Sequence, residues 1–162
     1  ILQTKPISNL HIVIGKYLAT LILILLSLIP TILYPCTVYY LSEPLGNIDL
    51  AGIIGSYFGL FMLSTCFAAI SIYCSSLTKN QIVAFLSSII ICSIFYFGFD
   101  ILSQLNSLQQ IDLLLQKIGI SYHYQLMSKG VLSSEDLIYF ISISIIFIEL
   151  TTLKINKTRV DA

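Results

Sequence analysis

Residues 50–77 read LAGIIGSYFGLFMLSTCFAAISIYCSSL, a run that contains no charged side chain. A helix that crosses the hydrocarbon core of a bilayer needs about 20 consecutive apolar residues. The run is long enough for this, and it lacks the strict alternation of apolar and polar residues that marks a strand of a membrane β-barrel. It therefore predicts a membrane-spanning helix.

Three further apolar runs lie on either side of this one, at residues 18–41, 82–99 and 137–153. The chain is 57% hydrophobic and only 10% charged, whereas soluble domains have roughly 45–50% and about 25% of these classes. A protein with so few charged residues cannot cover a water-exposed surface with them. Lipid is therefore the expected solvent. We therefore expect an all-α fold, a polytopic transmembrane helical bundle with four spans that forms a single membrane domain over residues 1–162.

The basic residues fall mainly on one side of the predicted membrane. Six of the eight flank the same ends of the spans: Lys5, Lys16, Lys79, Lys154, Lys157 and Arg159. The opposite loops carry most of the acids. Because Lys and Arg are enriched in cytoplasmic loops, this pattern predicts that both termini are cytoplasmic. The net charge of zero offers no basic field to hold nucleic acid, so that class of partner is excluded.

The outer loop, residues 100–136, is predicted to contain an amphipathic helical segment. Its apolar residues recur at spacings of three and four, at Ile101, Leu105, Leu108, Ile111, Leu115 and Ile118. Polar residues fill the positions between them. This periodicity is typical of a helix that lies on the membrane surface or dips back into it.

No catalytic, cofactor-binding or metal-binding site is predicted, so the chain is not expected to be an enzyme. Gly15-Lys16 is the only Gly-Lys pair, and it lacks the rest of a phosphate-binding loop. His11 and His123 fall on opposite predicted sides, which excludes a shared metal site, and His123 is interpreted as part of an interfacial aromatic belt. The four cysteines have no metal-ligand spacing and are interpreted as packing residues: Cys36, Cys66, Cys74 and Cys92.

Glycines at one end of the second span predict a close helix contact. Gly52, Gly55 and Gly59 lie there, and the last two form a GxxxG pair. Helices without Cβ atoms at such positions can approach until their backbones touch. The pattern is compatible with packing inside one subunit and with an interface between subunits.

Two prolines lie in the outer half of the first span, Pro30 and Pro35. Each removes a backbone hydrogen bond and clashes with the preceding turn. We therefore expect a kinked or loosened helix, which serves either as a static bend or as a gating hinge.

Glu149 is the only acid inside an apolar run. An intramembrane carboxylate is a functional hypothesis by default, which here means an ion-coupled carrier. Lys154 follows five residues later, however, so snorkelling toward water or pairing with a lysine is the other interpretation.

The residues before the first span predict a cytoplasmic element. Thr4-Lys5-Pro6-Ile7-Ser8 has the signals of a helix start, in which Pro6 sets φ and Ser8 can cap. We expect a short turn over residues 9–15 that leads to Lys16. Ile7, Leu10 and Ile14 would form an apolar face that docks either a cytosolic partner or the lipid interface.

Several of these stretches resemble the type-2 ABC exporter permeases, and in particular their gliding-motility-associated branch. The similar segments are residues 1–16, 46–50, 54–60, 75–78, 80–85 and 95–100. The resemblance implies a permease of six spans with both ends inside, located in the bacterial cytoplasmic (inner) membrane. The chain begins with Ile1, and it would then be an N-terminally truncated piece holding the last four spans.

The resemblance also implies partners and a role for the first residues. The partners would be an ABC ATPase subunit on a separate chain, a second permease subunit in a homo- or heterodimer, and the lipid bilayer. The residues that would couple to the ATPase are Thr4, Lys5, Pro6, Ile7, Ser8, Leu10, Gly15 and Lys16. The alternatives are a membrane scaffold that transports nothing and an ion-coupled carrier that uses Glu149.

Overall fold

The computed structural model describes residues 8–103 and 116–160, and it contains no β-strand within them. Residues 116–118 are helical, and the other helices of the described chain are six α-helices and one 3₁₀ helix. They are α1 (Asn9–Leu28), the 3₁₀ helix (Ile29–Ile32), α2 (Leu33–Leu41), α3 (Leu50–Leu77), α4 (Gln81–Ser103), α5 (Ile120–Ser128) and α6 (Ser134–Val160).

Within residues 8–103 and 116–160, four helical segments are long and apolar enough to cross a membrane, and they contain the four predicted spans. They are Asn9–Leu41, Leu50–Leu77, Gln81–Ser103 and Ser134–Lys157. Their outward faces carry large aliphatic side chains, of which Leu23 is 66% and Ile82 is 70% exposed. Soluble proteins rarely expose apolar surface on this scale, whereas lipid requires it. The prediction of an all-α membrane bundle is therefore confirmed.

α3 is the central helix, because α1, α4, α5 and α6 all pack against it. Its buried face is rich in small side chains, and Cys66, Ala69 and Cys74 are each 0% exposed. Small residues let helix backbones approach closely in lipid. The Cys66 thiol also donates a hydrogen bond to the Phe140 carbonyl oxygen at 3.1 Å, which joins α3 to α6.

The interpretation of the cysteines as packing residues is confirmed for Cys66 and Cys74, which are buried free thiols. Cys92 is partly buried on α4, whereas Cys36 is exposed on α2. The packing interpretation is therefore not supported for Cys36, whose side chain is exposed.

The GxxxG pair of α3 makes a close contact inside the chain. A Cβ atom on Gly55 would lie 2.1 Å from the Met127 carbonyl oxygen, and one on Gly59 would lie 3.0 Å from the Met127 Cβ. The partner is therefore α5 and the turn after it. Gly130 in that turn has φ +80° and would meet the Ala51 backbone at 2.9 Å if it carried a Cβ. Of the two arrangements that the sequence left open, packing inside the subunit occupies this face.

Gly52 has a different role from the other two glycines. Its backbone N–H donates to the Asp49 Oδ1 at 3.0 Å, which caps the start of α3. A Cβ at Gly52 would meet this same carboxylate, with the Oδ2 at 2.5 Å. The residue therefore makes room for its own N-cap and takes no part in the contact with α5.

The two prolines distort the first span, as predicted. α1 ends at Leu28, and the 3₁₀ helix that begins at Ile29 has Pro30 in its first turn. α2 begins at Leu33. Pro35 has no N–H to offer the Thr31 carbonyl, which is its partner four residues earlier in a regular helix. The Tyr57 hydroxyl of α3 donates to that carbonyl instead, at 2.7 Å.

The predicted amphipathic helix of the outer loop falls largely on residues 104–115, which lie outside the described residues. α4 continues to Ser103 and α6 begins at Ser134, so both spans extend past their predicted ends. Between them, α5 buries Ile120, Ser121 and Met127. This part of the outer loop is therefore docked on the bundle and covers the glycine face of α3.

Candidate functional site

A cavity of about 720 Å³ lies at the end of the bundle where α1 begins and α3 ends. Three lysines line it: Lys16 from α1, Lys79 from the turn after α3, and Lys154 from α6. No acidic side chain belongs to the lining that the structure describes. Four spans of alternating direction bring these three segments to one end, so the charge asymmetry of the sequence becomes a single basic mouth, called here the basic cavity.

Asn9 lies in the wall of the basic cavity and joins the first span to the last. It is 7% exposed, and its Nδ2 donates to the Asn156 Oδ1 of α6 at 2.7 Å. The Asn9 Oδ1 is buried and has no hydrogen-bond partner among the described residues. The bond links residues 147 positions apart, and sequence reasoning missed it because nothing local distinguishes Asn9 from a polar loop residue.

The expected turn over residues 9–15 is wrong. α1 begins at Asn9 and continues through Gly15 and Lys16 without a break. Ser8 is its N-cap, and the Ser8 side chain accepts from the His11 N–H, so that part of the prediction is confirmed. A glycine inside a helix costs about 1 kcal/mol relative to alanine. Burial of Asn9 and Val13, which lie four residues apart on one helix face, offsets this cost.

The predicted apolar face of this segment is partly outside the bundle. Leu10 is half-buried and Ile14 is 36% exposed, whereas Val13 is 1% exposed and packs inward. Gly15 is exposed, and a Cβ on it would have nothing within 4 Å. Thr4, Lys5, Pro6 and Ile7 lie outside the described residues.

Glu149 does not face the bundle. It is exposed on the outer side of α6, between the exposed Ile146 and Leu150. It lines neither the basic cavity nor the neighbouring groove described below. Neither of these two spaces therefore offers a route for ions past this carboxylate.

A buried polar cluster at the opposite end was not predicted. The His123 Nδ1 lies 2.6 Å from the Asp136 Oδ1, and the Ser133 hydroxyl donates to the Asp136 Oδ2 at 2.9 Å. The His123 Nε2 lies 2.8 Å from the Lys117 carbonyl oxygen, and the ring stacks on Tyr139 with centroids 3.9 Å apart. His123 therefore anchors α5 to α6, and its place in an interfacial aromatic belt stays a prediction. The stretch Ser133-Ser134-Glu135-Asp136 carries the signals of a helix start, which is the local clue that could have indicated Asp136.

No group of three or more His, Cys, Asp or Glu side chains that could hold a metal ion occurs in residues 8–103 and 116–160. Comparison with protein-family models, with curated proteins and with solved structures gives no match. Inference about function therefore rests on the geometry of this chain and on its sequence pattern.

Proposed function

We propose that the chain is the membrane permease part of an ABC exporter-type complex, powered by an ATPase on a separate chain. A second permease subunit would complete the transport unit. The location in the bacterial inner membrane and the association with gliding motility are parts of this proposal that rest on the sequence resemblance alone. The observation that carries the proposal is the continuity of α1 from the Ser8 cap, at the basic end, to the 3₁₀ segment at Ile29.

A continuous helix of this kind can act as a lever. α1 has 20 residues, and at 1.5 Å per residue it is about 30 Å long. A push on its first turn would move its whole length as a rigid rod. The 3₁₀ segment that follows lacks the regular hydrogen-bond ladder and offers a place for the span to bend.

The lever is connected to the rest of the bundle at its basic end. The Asn9–Asn156 hydrogen bond joins it to α6, and the buried Val13 packs it into the bundle. Movement of α1 would therefore change the position of α6 as well. ATP binding and hydrolysis would shift the population between two arrangements only if the ATPase contacts the two differently.

The exposed and half-exposed side of the first two turns supports a docking role. Leu10 and Ile14 leave apolar surface on this side, next to the exposed His11. This surface is available to a partner without disturbing the inward face. The carrier alternative loses support, because Glu149 lines neither the basic cavity nor the neighbouring groove.

The test replaces Gly15 in the full-length protein. Gly15→Pro removes the helix hydrogen bond of residue 15 and costs about 3 kcal/mol in a helix interior, which would uncouple the docking turns from the span. Gly15→Ala is the matched control, because a Cβ there meets nothing within 4 Å. We expect an ATPase to co-purify with wild type and with both variants.

The measurement is ATP hydrolysis by the purified complexes in lipid nanodiscs. The wild-type protein and Gly15→Ala should stimulate ATP hydrolysis. Stimulation by Gly15→Pro should be at least tenfold weaker. If no ATPase co-purifies with the wild-type protein, the chain is a scaffold and the proposal fails. If Gly15→Pro stimulates fully, α1 is not the lever.

A further inference from the structure

The basic cavity adjoins an open groove between α1 and α3. This second space has a volume of about 380 Å³, and Ile72 and Ser75 line both spaces. The groove walls include the apolar side chains Ile24, Phe67 and Ala68. The two spaces therefore lie side by side along α1 and α3. One carries the lysines, and the other is an open, mostly apolar groove.

Two of the four hydroxyl groups that line the groove are bonded to carbonyls of their own helices. The Ser64 hydroxyl donates to the Leu60 carbonyl at 2.7 Å, and the Thr20 hydroxyl donates to the Lys16 carbonyl at 3.0 Å. Their protons are thus engaged within their own helices. An occupant of the groove would meet mainly carbon atoms, as an acyl chain requires.

Charge complementarity identifies the other end of the occupant. Lys16 of α1 and Lys79 of the turn after α3 both line the basic cavity, to which Lys154 of α6 also belongs. Lysines at the end of a span are common and do not by themselves make a site. Their convergence beside an apolar groove is what matches an amphiphile, and basic pockets between membrane helices are known to bind anionic headgroups.

We propose that the basic cavity and this groove together bind one molecule of an anionic glycerophospholipid. Its phosphate diester would lie against Lys16 and Lys79, its glycerol backbone near Ser75, and one acyl chain in the groove between α1 and α3. The lipid would fill the seam between the first span and the central helix. The inference does not depend on the proposed transport function, since a scaffold with these two spaces would bind the same lipid.

The test is lipid titration of the purified full-length protein, followed by native mass spectrometry. The probe is phosphatidylglycerol, and phosphatidylcholine with the same acyl chains is the neutral comparison. We expect one phosphatidylglycerol to bind at least tenfold more tightly than phosphatidylcholine. A lysine near a membrane surface contributes enough to make Lys16→Gln and Lys79→Gln each bind about fivefold more weakly. Lys157→Gln is the matched control, because it removes a charge at the same end without lining the cavity, and it should change binding less than twofold.

A second pair of variants tests the groove. Ser64→Phe fills it, whereas Ser142→Phe adds the same side chain at an exposed position of α6 whose hydroxyl has the same kind of bond to its own helix. Only Ser64→Phe should abolish the tight binding of phosphatidylglycerol. Melting curves in phosphatidylcholine check that every variant is folded.

Three results would overturn the proposal. Equal affinity for the two lipids, or equal loss in Lys157→Gln and Lys16→Gln, would mean that only general surface attraction operates. Full displacement of the lipid by soluble glycerophosphoglycerol would mean that the site takes a free phosphodiester. Unchanged binding in Ser64→Phe would mean that no chain occupies the groove.

Discussion

The Tyr57 hydroxyl donates to the Thr31 carbonyl oxygen at 2.7 Å, and in doing so α3 supplies the donor that Pro35 withholds from the first span. The core of a bilayer contains no water that could donate a hydrogen bond. A carbonyl group whose helix donor is replaced by a proline therefore needs another donor. This bond therefore connects the irregular segment of the first span to the central helix. The effect of a substitution at Tyr57 should therefore depend on whether residue 35 is a proline.

A double-mutant cycle between Tyr57 and Pro35 tests this dependence. Tyr57→Phe alone should destabilise the protein by about 0.5–1.5 kcal/mol, because it removes a hydrogen bond between two helices and leaves the Thr31 carbonyl with only the Leu33 N–H. In a Pro35→Ala background the new N–H can donate to the same carbonyl, so Tyr57→Phe should cost less there. Chemical denaturation in mild detergent gives the coupling energy, and a value of zero would mean that the two residues act independently.

Gly55 should not tolerate a side chain. Gly55→Leu would drive a large group into the Met127 carbonyl, which already lies 2.1 Å from the position of a Cβ. Overpacking costs typically about 1–3 kcal/mol, and the melting temperature in detergent should fall. Gly98→Ala is the control, because its Cβ would meet only the Ile94 Cγ2, at 3.5 Å. An unchanged melting curve for Gly55→Leu would show that α5 does not dock on this face.

Asp136 should be far less replaceable than its neighbour Glu135. Asp136 is 2% exposed and accepts from the Ser133 hydroxyl beside its contact with His123. Removing one partner of a buried pair typically costs about 3–5 kcal/mol, so Asp136→Ala should lower stability strongly and loosen α5. Glu135→Ala, one residue earlier and exposed, should change stability by less than about 1 kcal/mol. Protease accessibility of the 116–133 segment is the readout, and equal cleavage of both variants would contradict the anchoring role of the pair.

The sidedness of the membrane remains a prediction from the charges. We expect Lys79 and Lys154 to face the cytoplasm, and Asp49 and Lys117 to face outward. Single cysteines at these positions, in a background without the four native ones, can be labelled with an impermeant maleimide in intact cells. Labelling should occur at 49 and 117 only. Labelling of residue 79 from outside would invert the topology and remove the basis for ATPase docking at the basic end.

Ile14 tests the docking face of α1 without disturbing the bundle. Ile14→Asp in the full-length protein places a carboxylate on the exposed side, where burial against an apolar partner surface would be costly. We expect normal amounts of permease in the membrane and loss of the co-purified ATPase, whereas Ile14→Leu should retain it. Retention of the ATPase by Ile14→Asp would exclude this face as the contact. Loss of the permease itself would show that the face serves the fold.

Much of the architecture was readable from local sequence, because lipid imposes length and polarity limits on every crossing segment. The 50–77 run became α3 with the same bounds, and the two prolines produced the irregular segment that their chemistry requires. The turn expected before Lys16 was wrong, since the local weakness of Gly15 is overcome by burial of Val13, which is a tertiary effect.

By itself, the sequence determined that the helices face lipid, that there are four spans, and at which end of the bundle the basic residues gather. Each of these depends only on runs of residue types along the chain. Only the tertiary structure decided that Gly55 packs on Met127, that Asn9 bonds to Asn156, and that three lysines share a cavity next to an apolar groove. These contacts join residues far apart in sequence. Shape complementarity and hydrogen bonding determine which helices pack together in lipid, because an apolar helix surface and the surrounding lipid are equally hydrophobic.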